Sequence, residues 1–208
     1  MSRKHIVTEL LGIQGWEVEP GAIRIEGTTV RIGIRRQKGR GYCCGVCGTK
    51  YLWPHDGPCR RAVRDFPVWG RQTFLEFDEY RVRCDKCGTH VEAFDWIEAC
   101  QRQTLRYERY VAELCNILPV LDVADWEGLD KNTVYRLDRK WLKRREAQRQ
   151  KHPVRYLGID EISLRKGWKY ATLFYDLERR EVLGVSLLVT GDPSVDSCVV
   201  GANGPVGR

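Results

Sequence analysis

The chain contains the stretch Cys44-Gly45-Val46-Cys47-Gly48 and repeats its pattern in Cys84-Asp85-Lys86-Cys87-Gly88. Two thiolates separated by two residues can bind one metal ion, and the glycine after each pair permits the left-handed turn that points backbone N–H groups at the sulfurs. Two such pairs complete the tetrahedral four-sulfur site that zinc favours. The pattern therefore predicts a structural zinc ion bound by Cys44, Cys47, Cys84 and Cys87 in a zinc-ribbon-like β module.

Other interpretations of the cysteines stay open. The 36 residues between Cys47 and Cys84 exceed the usual spacing of such pairs, although the strand patterns within them could bridge the distance. Two unrelated reduced pairs are the alternative, Cys43 could replace Cys44, and His90 could be a spare ligand. A disulfide scaffold is disfavoured because the chain has nine cysteines, an odd number, and no secretory signal. No catalytic base is evident beside the metal, so its expected role is structural.

Charge is concentrated in one segment of the chain. Residues 131–155 contain ten Lys and Arg against two acids, a local charge of +8, whereas the whole chain has a formal net charge of +7. A basic segment of this density favours a polyanion such as nucleic acid as partner. A solvated helix face is the alternative. No apolar run approaches the roughly 20 residues of a membrane helix, so we expect no membrane partner and a cytoplasmic protein.

The apolar patterns predict an α+β multidomain protein. Residues 22–36 alternate around Ile23, Ile25, Val30, Ile32 and Ile34, which predicts a β-hairpin with one buried face, and a second strand pair is expected over 63–82. Helical spacing follows Cys100, where the apolar stripe contains Leu105, Val111, Leu114 and Leu118. The expected domains are a β region with a zinc finger at 1–100, a helical segment at 101–151, a partial sheet at 152–188, and an irregular tail at 189–208.

A helix-turn-helix pattern begins at Val120. Its fifth position is Ala124, where a small residue lets two helices cross closely, and its ninth is Gly128, where the turn needs a residue that tolerates positive φ. Asp130 or Asn132 can cap the second helix. Apolar residues at four further positions would join the two helices: Val123, Leu129, Val134 and Leu137. The alternative is an ordinary αα-hairpin.

The second helix of this pattern would be the recognition helix. Its first part is expected to lie near a DNA groove, and its basic continuation is expected to meet phosphates. The candidate groove residues are Lys131, Asn132, Thr133, Tyr135 and Arg136. The candidate phosphate contacts are Arg139, Lys140, Lys143, Arg144 and Arg145.

An apolar strand with two carboxylates begins the last third of the chain. The sequence Tyr156-Leu157-Gly158-Ile159-Asp160-Glu161 precedes two further strand patterns, over 169–176 and 181–185. Three consecutive strands with an acid in the first are typical of the opening of a ribonuclease-H-like sheet, in which a central aspartate helps to bind two divalent metals. A cap or an ion-pair partner is the alternative role of Asp160.

With these three motifs in this order, the chain resembles bacterial insertion-sequence transposases of the ISL3 family over roughly residues 5–185. Residues 64–67, 80–87 and 156–161 carry most of the resemblance. It implies that a zinc finger and a helix-turn-helix hold the transposon's terminal inverted repeats in double-stranded DNA, close to the bacterial nucleoid. It also implies a DDE catalytic domain that cuts and joins strands with magnesium or manganese, and it puts the first catalytic acid on Asp160.

The resemblance departs from the family pattern after Val185. A DDE domain needs a second aspartate and a glutamate, yet Asp192 and Asp196 lie in a Gly- and Pro-containing tail without a strand pattern. We therefore expect a truncated catalytic domain and a polypeptide that is catalytically inactive by itself. Two alternatives to a transposase are a DNA-binding fragment that represses transposition and a zinc-dependent interaction module. The oligomeric state is open, with a homo-oligomer as one option.

Overall fold

The computed structural model describes residues 6–149, 152–165 and 169–189. These residues fall into two compact units that meet in sequence at residues 148 and 149. The first unit combines a β-sheet with helices, and the described part of the second is a three-stranded sheet. The protein is therefore of the α+β class, as the sequence predicts. No helix among the described residues is long and apolar enough to cross a membrane.

The described elements of the first unit are, in chain order, α1 (Ile6–Leu11), β1 (Trp16–Glu26), β2 (Thr29–Arg36), β3 (Tyr42–Cys43), β4 (Lys50–Tyr51), β5 (Asp56–Val68), β6 (Arg71–Cys84), β7 (Gly88–Val91), α2 (Leu105–Leu114), α3 (Val120–Glu127) and α4 (Lys131–Gln148). The main sheet has the order β1-β2-β6-β5, and β7 pairs with the far end of β6. β2 and β6 are parallel, whereas the other pairs are antiparallel.

The predicted hairpin is formed by β1 and β2, but only part of its apolar face is buried. Val30 and Ile32 are 2% and 5% exposed, whereas Ile25 and Ile23, their direct partners on β1, are 59% and 37% exposed. Directly opposed residues share a face, so these isoleucines point to the same side as the core. The expectation that they are buried is wrong because β1 is the edge strand and the core does not extend over that end of it.

The predicted second strand pair is confirmed by β5 and β6, joined by a two-residue turn. Trp69 and Gly70 in this turn have φ of 51° and 71°, and positive φ at both central residues matches the right-handed twist of the strands. β6 supplies Leu75 and Phe77 to the core. The Phe77 ring meets the Trp16 ring edge-on with centroids 5.8 Å apart, so aromatic packing joins β6 to the start of β1.

The helices form a second core beside the sheet. Tyr107 and Val111 of α2 are completely buried, and they pack with Val123 of α3 and Val134 of α4. Leu118 does not continue the apolar stripe of α2 and is 37% exposed. The reason is that α2 ends at Leu114 in tight turns, in which the amides of residues 116 and 117 bond to carbonyls three residues earlier.

The described part of the second unit is the predicted set of three strands, β8 (Leu157–Arg165), β9 (Lys169–Asp176) and β10 (Glu181–Val189). The order is β10-β9-β8, and both pairs are antiparallel. The irregular tail predicted from the sequence lies, from residue 190 onward, outside the described residues.

Candidate metal centre and nucleic-acid interface

The four predicted cysteine ligands come together at one end of the sheet. Cys44 lies next to β3, Cys84 ends β6, and the Sγ atoms of Cys44, Cys47, Cys84 and Cys87 all lie within 4.8 Å of one another. The Cys47 and Cys84 sulfurs are 3.5 Å apart. Four sulfurs bound to one zinc at about 2.3 Å would be about 3.8 Å from each other. The cluster can therefore hold a metal ion, and its size fits tetrahedral coordination.

The backbone around both cysteine pairs has the turn that the sequence predicts. Gly48 and Gly88 adopt φ of 71° and 87°, a left-handed conformation that suits glycine. The Gly48 amide donates to the Cys44 carbonyl oxygen at 3.0 Å, and Cys84 faces Gly88 across the β6–β7 turn. His90 is not a member of the cluster: its ring nitrogen Nε2 lies 2.6 Å from the Cys87 carbonyl oxygen.

The thiols of Cys47 and Cys87, which lie close together in the cluster, have opposite pKa shifts. Hydrogen bonds from the Thr49 hydroxyl and amide lower the pKa of the Cys47 thiol to about 6. The hydrogen bond with Cys47 raises the pKa of the Cys87 thiol to about 12. Four sulfurs this close cannot all be negatively charged unless a cation compensates the repulsion. The donor set is soft and anionic when deprotonated, which suits zinc and disfavours the oxygen-seeking metals calcium and magnesium.

The helices α3 and α4 are arranged as the helix-turn-helix pattern predicts. Ala124 is 4% exposed at the helix crossing, and Gly128 ends α3 with φ of 62°. A Cβ on Gly128 would also lie 3.2 Å from Nε2 of Gln72. Of the two candidate caps, Asp130 is the one that acts, because its Oδ1 accepts from the amide of Asn132 at 2.9 Å. The turn and cap therefore set the direction in which α4 leaves α3.

The ten candidate DNA contacts fall into groups according to the face of α4 on which they lie. Asn132, Arg136, Arg139 and Lys143 are exposed and follow one another at intervals of four, three and four residues, so they share one face of the helix. This face lies opposite the buried Val134 and Leu137. Other candidates lie beside it: Lys131 and Tyr135 are exposed, and Thr133 is half-buried.

Three of the remaining candidates have partners within the protein. The Lys140 ammonium donates to Glu108 at 2.5 Å and to Glu98 at 2.6 Å, and Arg144 also pairs with Glu98. Glu108 is fully buried in α2, so Lys140 neutralises a carboxylate that would otherwise be unpaired. Arg145 donates to Asn116 at 3.2 Å. Arg136, on the exposed face, donates to the Gln101 side chain at 3.0 Å.

A buried polar network that the sequence did not reveal joins α2 and α3 to β5. The Arg64 guanidinium donates to the Glu127 backbone carbonyl and carboxylate oxygens at 3.1 and 3.2 Å, and the Tyr107 hydroxyl donates to the same carboxylate at 2.8 Å. Burial and this hydrogen bond raise the pKa of Tyr107 far above its usual range. Next along β5, Asp65 accepts from Thr104 Oγ1 at 2.7 Å and Arg106 Nε at 2.6 Å. The only sequence signal for this network is a charged pair inside an apolar strand pattern.

The candidate catalytic residue Asp160 lies in the middle of β8, directly opposite Leu173 of β9. Its side chain is exposed, and its Oδ1 accepts from the Glu161 amide at 2.8 Å. Among the described residues it has no neighbouring acids or histidines that would complete a metal site. The buried acid of this sheet is Asp176, at the end of β9, whose Oδ1 accepts from the amides of Glu178 and Arg179.

Comparison with known proteins agrees with this geometry. The helix-turn-helix domain of transposase family ISL3 matches residues 92–142, which include α2, α3 and most of α4. A transposase for insertion sequence element IS1001 from Bordetella parapertussis is 30% identical over 191 residues, which cover 89% of this chain and 46% of the relative. A transposase for insertion sequence element IS1557 from Mycobacterium tuberculosis is 30% identical over 135 residues, or 64% of this chain and 30% of the relative.

The chain thus spans less than half the length of the curated relatives it matches. No solved structure shows significant similarity to it. Together, the helix-turn-helix match and the relatives that align along most of the sequence show that this chain is similar to ISL3-type insertion-sequence transposases over most of its own length.

Proposed function

We propose that this chain binds the terminal inverted repeats of an insertion sequence as duplex DNA, with α4 as the recognition helix. The observation that carries the proposal is the exposed face of α4 that presents Asn132, Arg136, Arg139 and Lys143 on a helix-turn-helix scaffold. Arginine and asparagine can make paired hydrogen bonds to guanine and adenine edges, and lysine is suited to phosphate. Such a protein acts on chromosomal DNA in the bacterial cytoplasm.

The candidate contacts divide by role. We assign DNA contact to the exposed face, with Lys131, Thr133 and Tyr135 beside it. We assign a structural role to Lys140 and Arg144, because both pair with Glu98 and Lys140 also pairs with the buried Glu108. A lysine that leaves Glu108 to bind a phosphate would leave that carboxylate buried without a counter-charge. Within the described residues, Arg145 has no ion pair of this kind and is held only by a hydrogen bond to the Asn116 side chain.

The experiment is a titration of inverted-repeat duplex over a range of salt concentrations. Replacing Arg139 and Lys143 by alanine should lower affinity at every salt concentration and reduce the slope of log affinity against log salt by about 0.9 for each phosphate that is no longer neutralised. Arg81→Ala is the matched control, since Arg81 is 54% exposed on β6 and pairs with Asp56. An unchanged slope in the double variant would refute α4 as the interface.

We also propose that Cys44, Cys47, Cys84 and Cys87 bind one structural zinc ion in a zinc-ribbon-like module. The support is the four-sulfur donor set, the spacing of the sulfurs and the two glycine turns. When bound, zinc would supply the cross-link that joins the β3–β4 turn to the end of β6. Metal analysis should find one zinc per chain, lost in Cys47→Ser and retained in Cys100→Ser, whose exposed thiol is outside the cluster.

For the second unit we propose a ribonuclease-H-like sheet in which Asp160 is the first metal-binding acid of a DDE site. The support is the strand order and the position of Asp160 within β8. Magnesium or manganese would be needed only by a complete catalytic domain, because one carboxylate cannot hold two ions. We therefore propose that the described residues account for binding of transposon ends, and that cutting those ends would need two further carboxylates beside Asp160.

A further inference from the structure

A cavity of about 510 Å³ opens next to the loop that follows β2, in a part of the first unit that the helix-turn-helix does not use. The loop from Arg35 to Gly41 forms one side, Leu52 and Trp53 after β4 form another, and Tyr80 of β6 contributes to the wall. Ligand pockets in proteins span about 300–1,000 Å³. The cavity therefore has the size to admit one nucleotide.

The loop that borders the cavity is strongly basic. Between Arg35 and Gly41 it carries four cations, Arg35, Arg36, Lys38 and Arg40, and no acid. Three of them have acidic partners: Glu17, Glu92 and Asp95. Lys38 is exposed and has no ion-pair partner in the described part of the chain. Its ammonium group is available to an anion such as a phosphate diester.

Aromatic rings form much of the rest of the cavity. The Arg36 guanidinium lies 4.2 Å from the Tyr42 ring centroid, and the Tyr42 and Tyr80 rings meet edge-on at 5.3 Å. Trp53 is 81% exposed, so its indole does not contribute to the core. An exposed indole beside unpaired positive charge is the combination with which proteins stack unpaired bases and hold the adjoining phosphate.

We infer that this cavity binds an unpaired nucleotide of DNA, with the base on Trp53 and its phosphate at Lys38. The inference rests on the proposed function, in that the nucleotide would belong to a strand leaving the duplex that α4 holds. The bases of a blunt duplex are paired and stacked inside the helix, so none of them can enter the cavity. A single-stranded tail has unpaired bases that can bind without the energetic cost of breaking base pairs.

The test compares a blunt inverted-repeat duplex with the same duplex carrying a four-thymidine 3′ tail. The tail should strengthen binding by about tenfold, the effect of stacking one base on an aromatic side chain. Trp53→Ala and Lys38→Ala should each remove most of this gain and leave affinity for the blunt duplex unchanged. Trp69→Ala and Lys50→Ala are matched controls, because both residues are exposed and neither lines the cavity.

The two proposals fail in different ways. If α4 is not the duplex interface, replacing Arg139 and Lys143 leaves the affinity for blunt duplex unchanged. The cavity is still tested in that case, because Trp53→Ala should weaken binding of a single-stranded oligothymidylate. If the wild-type protein gains nothing from the tail and does not bind oligothymidylate, or if Trp53→Ala retains the full gain, the cavity is not a nucleotide site. Unchanged zinc content and circular dichroism of each variant exclude misfolding as the cause of a loss.

Discussion

Replacing Arg64 by alanine should destabilise the packing of the helices on the sheet more than the replacement of any exposed residue. The Arg64 side chain is 8% exposed, and its guanidinium lies 5.1 Å from the Tyr107 ring centroid and 5.6 Å from that of Phe74. It donates to two oxygens of Glu127, which is 4% exposed. Arg64→Ala would leave the Glu127 carboxylate buried with the Tyr107 hydroxyl as its donor.

The size of the effect follows from this burial. Removing one partner of a buried ion pair typically lowers the free energy of unfolding by about 3–5 kcal/mol, because an uncompensated charge is left behind. For a protein of this length that corresponds to a decrease in Tm of about 6–20 °C. Changing Glu127 to Gln in the same chain removes the buried charge, so the double variant Arg64→Ala/Glu127→Gln should recover about 1–2 kcal/mol of the loss.

The assay is urea unfolding followed by circular dichroism with zinc present throughout. Arg60→Ala is the matched control, since Arg60 lies on the same strand and pairs with Glu19 and Asp78, but its side chain is 44% exposed. Exposed pairs contribute about 0–1 kcal/mol, so the control should be nearly as stable as wild type. Equal losses in Arg64→Ala and Arg60→Ala would contradict the reasoning, as would a double variant that is no more stable than Arg64→Ala.

Three further predictions concern the metal, the turn and catalysis. Chelation of zinc should unfold the sheet of the first unit, because structural zinc supplies about 10–16 kcal/mol in small modules; an unchanged far-ultraviolet spectrum after chelation would argue against this. Gly128→Val should lower the free energy of unfolding by about 1–2 kcal/mol, since φ there is 62°, and Gly128→Asn should lose less in the same urea titration. With magnesium or manganese, the Asp160→Asn variant should leave inverted-repeat DNA uncut, and any cleavage product on a denaturing gel would overturn the assignment of Asp160 as a metal-binding acid.

The cluster of four cysteines and the helix-turn-helix could be predicted because their signals are local. Two Cys-x-x-Cys-Gly pairs specify both the thiols that cluster and the turns that present them, and Gly48 and Gly88 adopt the left-handed conformation expected. Ala124 and Gly128 likewise define the crossing of α3 and α4, because a close approach and a positive φ each restrict the residue to a few types.

Other features depend on which strands become neighbours. Ile23 and Ile25 alternate as well as Val30 and Ile32 do, yet they are exposed because β1 forms the edge of the sheet. The ion pairs of Lys140 with Glu98 and Glu108 join residues 42 and 32 positions apart, so a basic run read along the chain cannot show which cations are already neutralised. The cavity beside Trp53 has the same origin, since its walls come from four separated segments of the chain.

By itself, therefore, the sequence predicted the cluster of four cysteines, the helix-turn-helix and the resemblance to ISL3-type transposases, since each depends on residue types at short, fixed spacing. Only the tertiary structure decided which face of α4 is exposed, how Arg64 and Asp65 fix the helices to the sheet, and that a basic aromatic cavity exists. Those features arise from packing between distant segments, and burial and charge pairing are properties of that packing, not of any one segment.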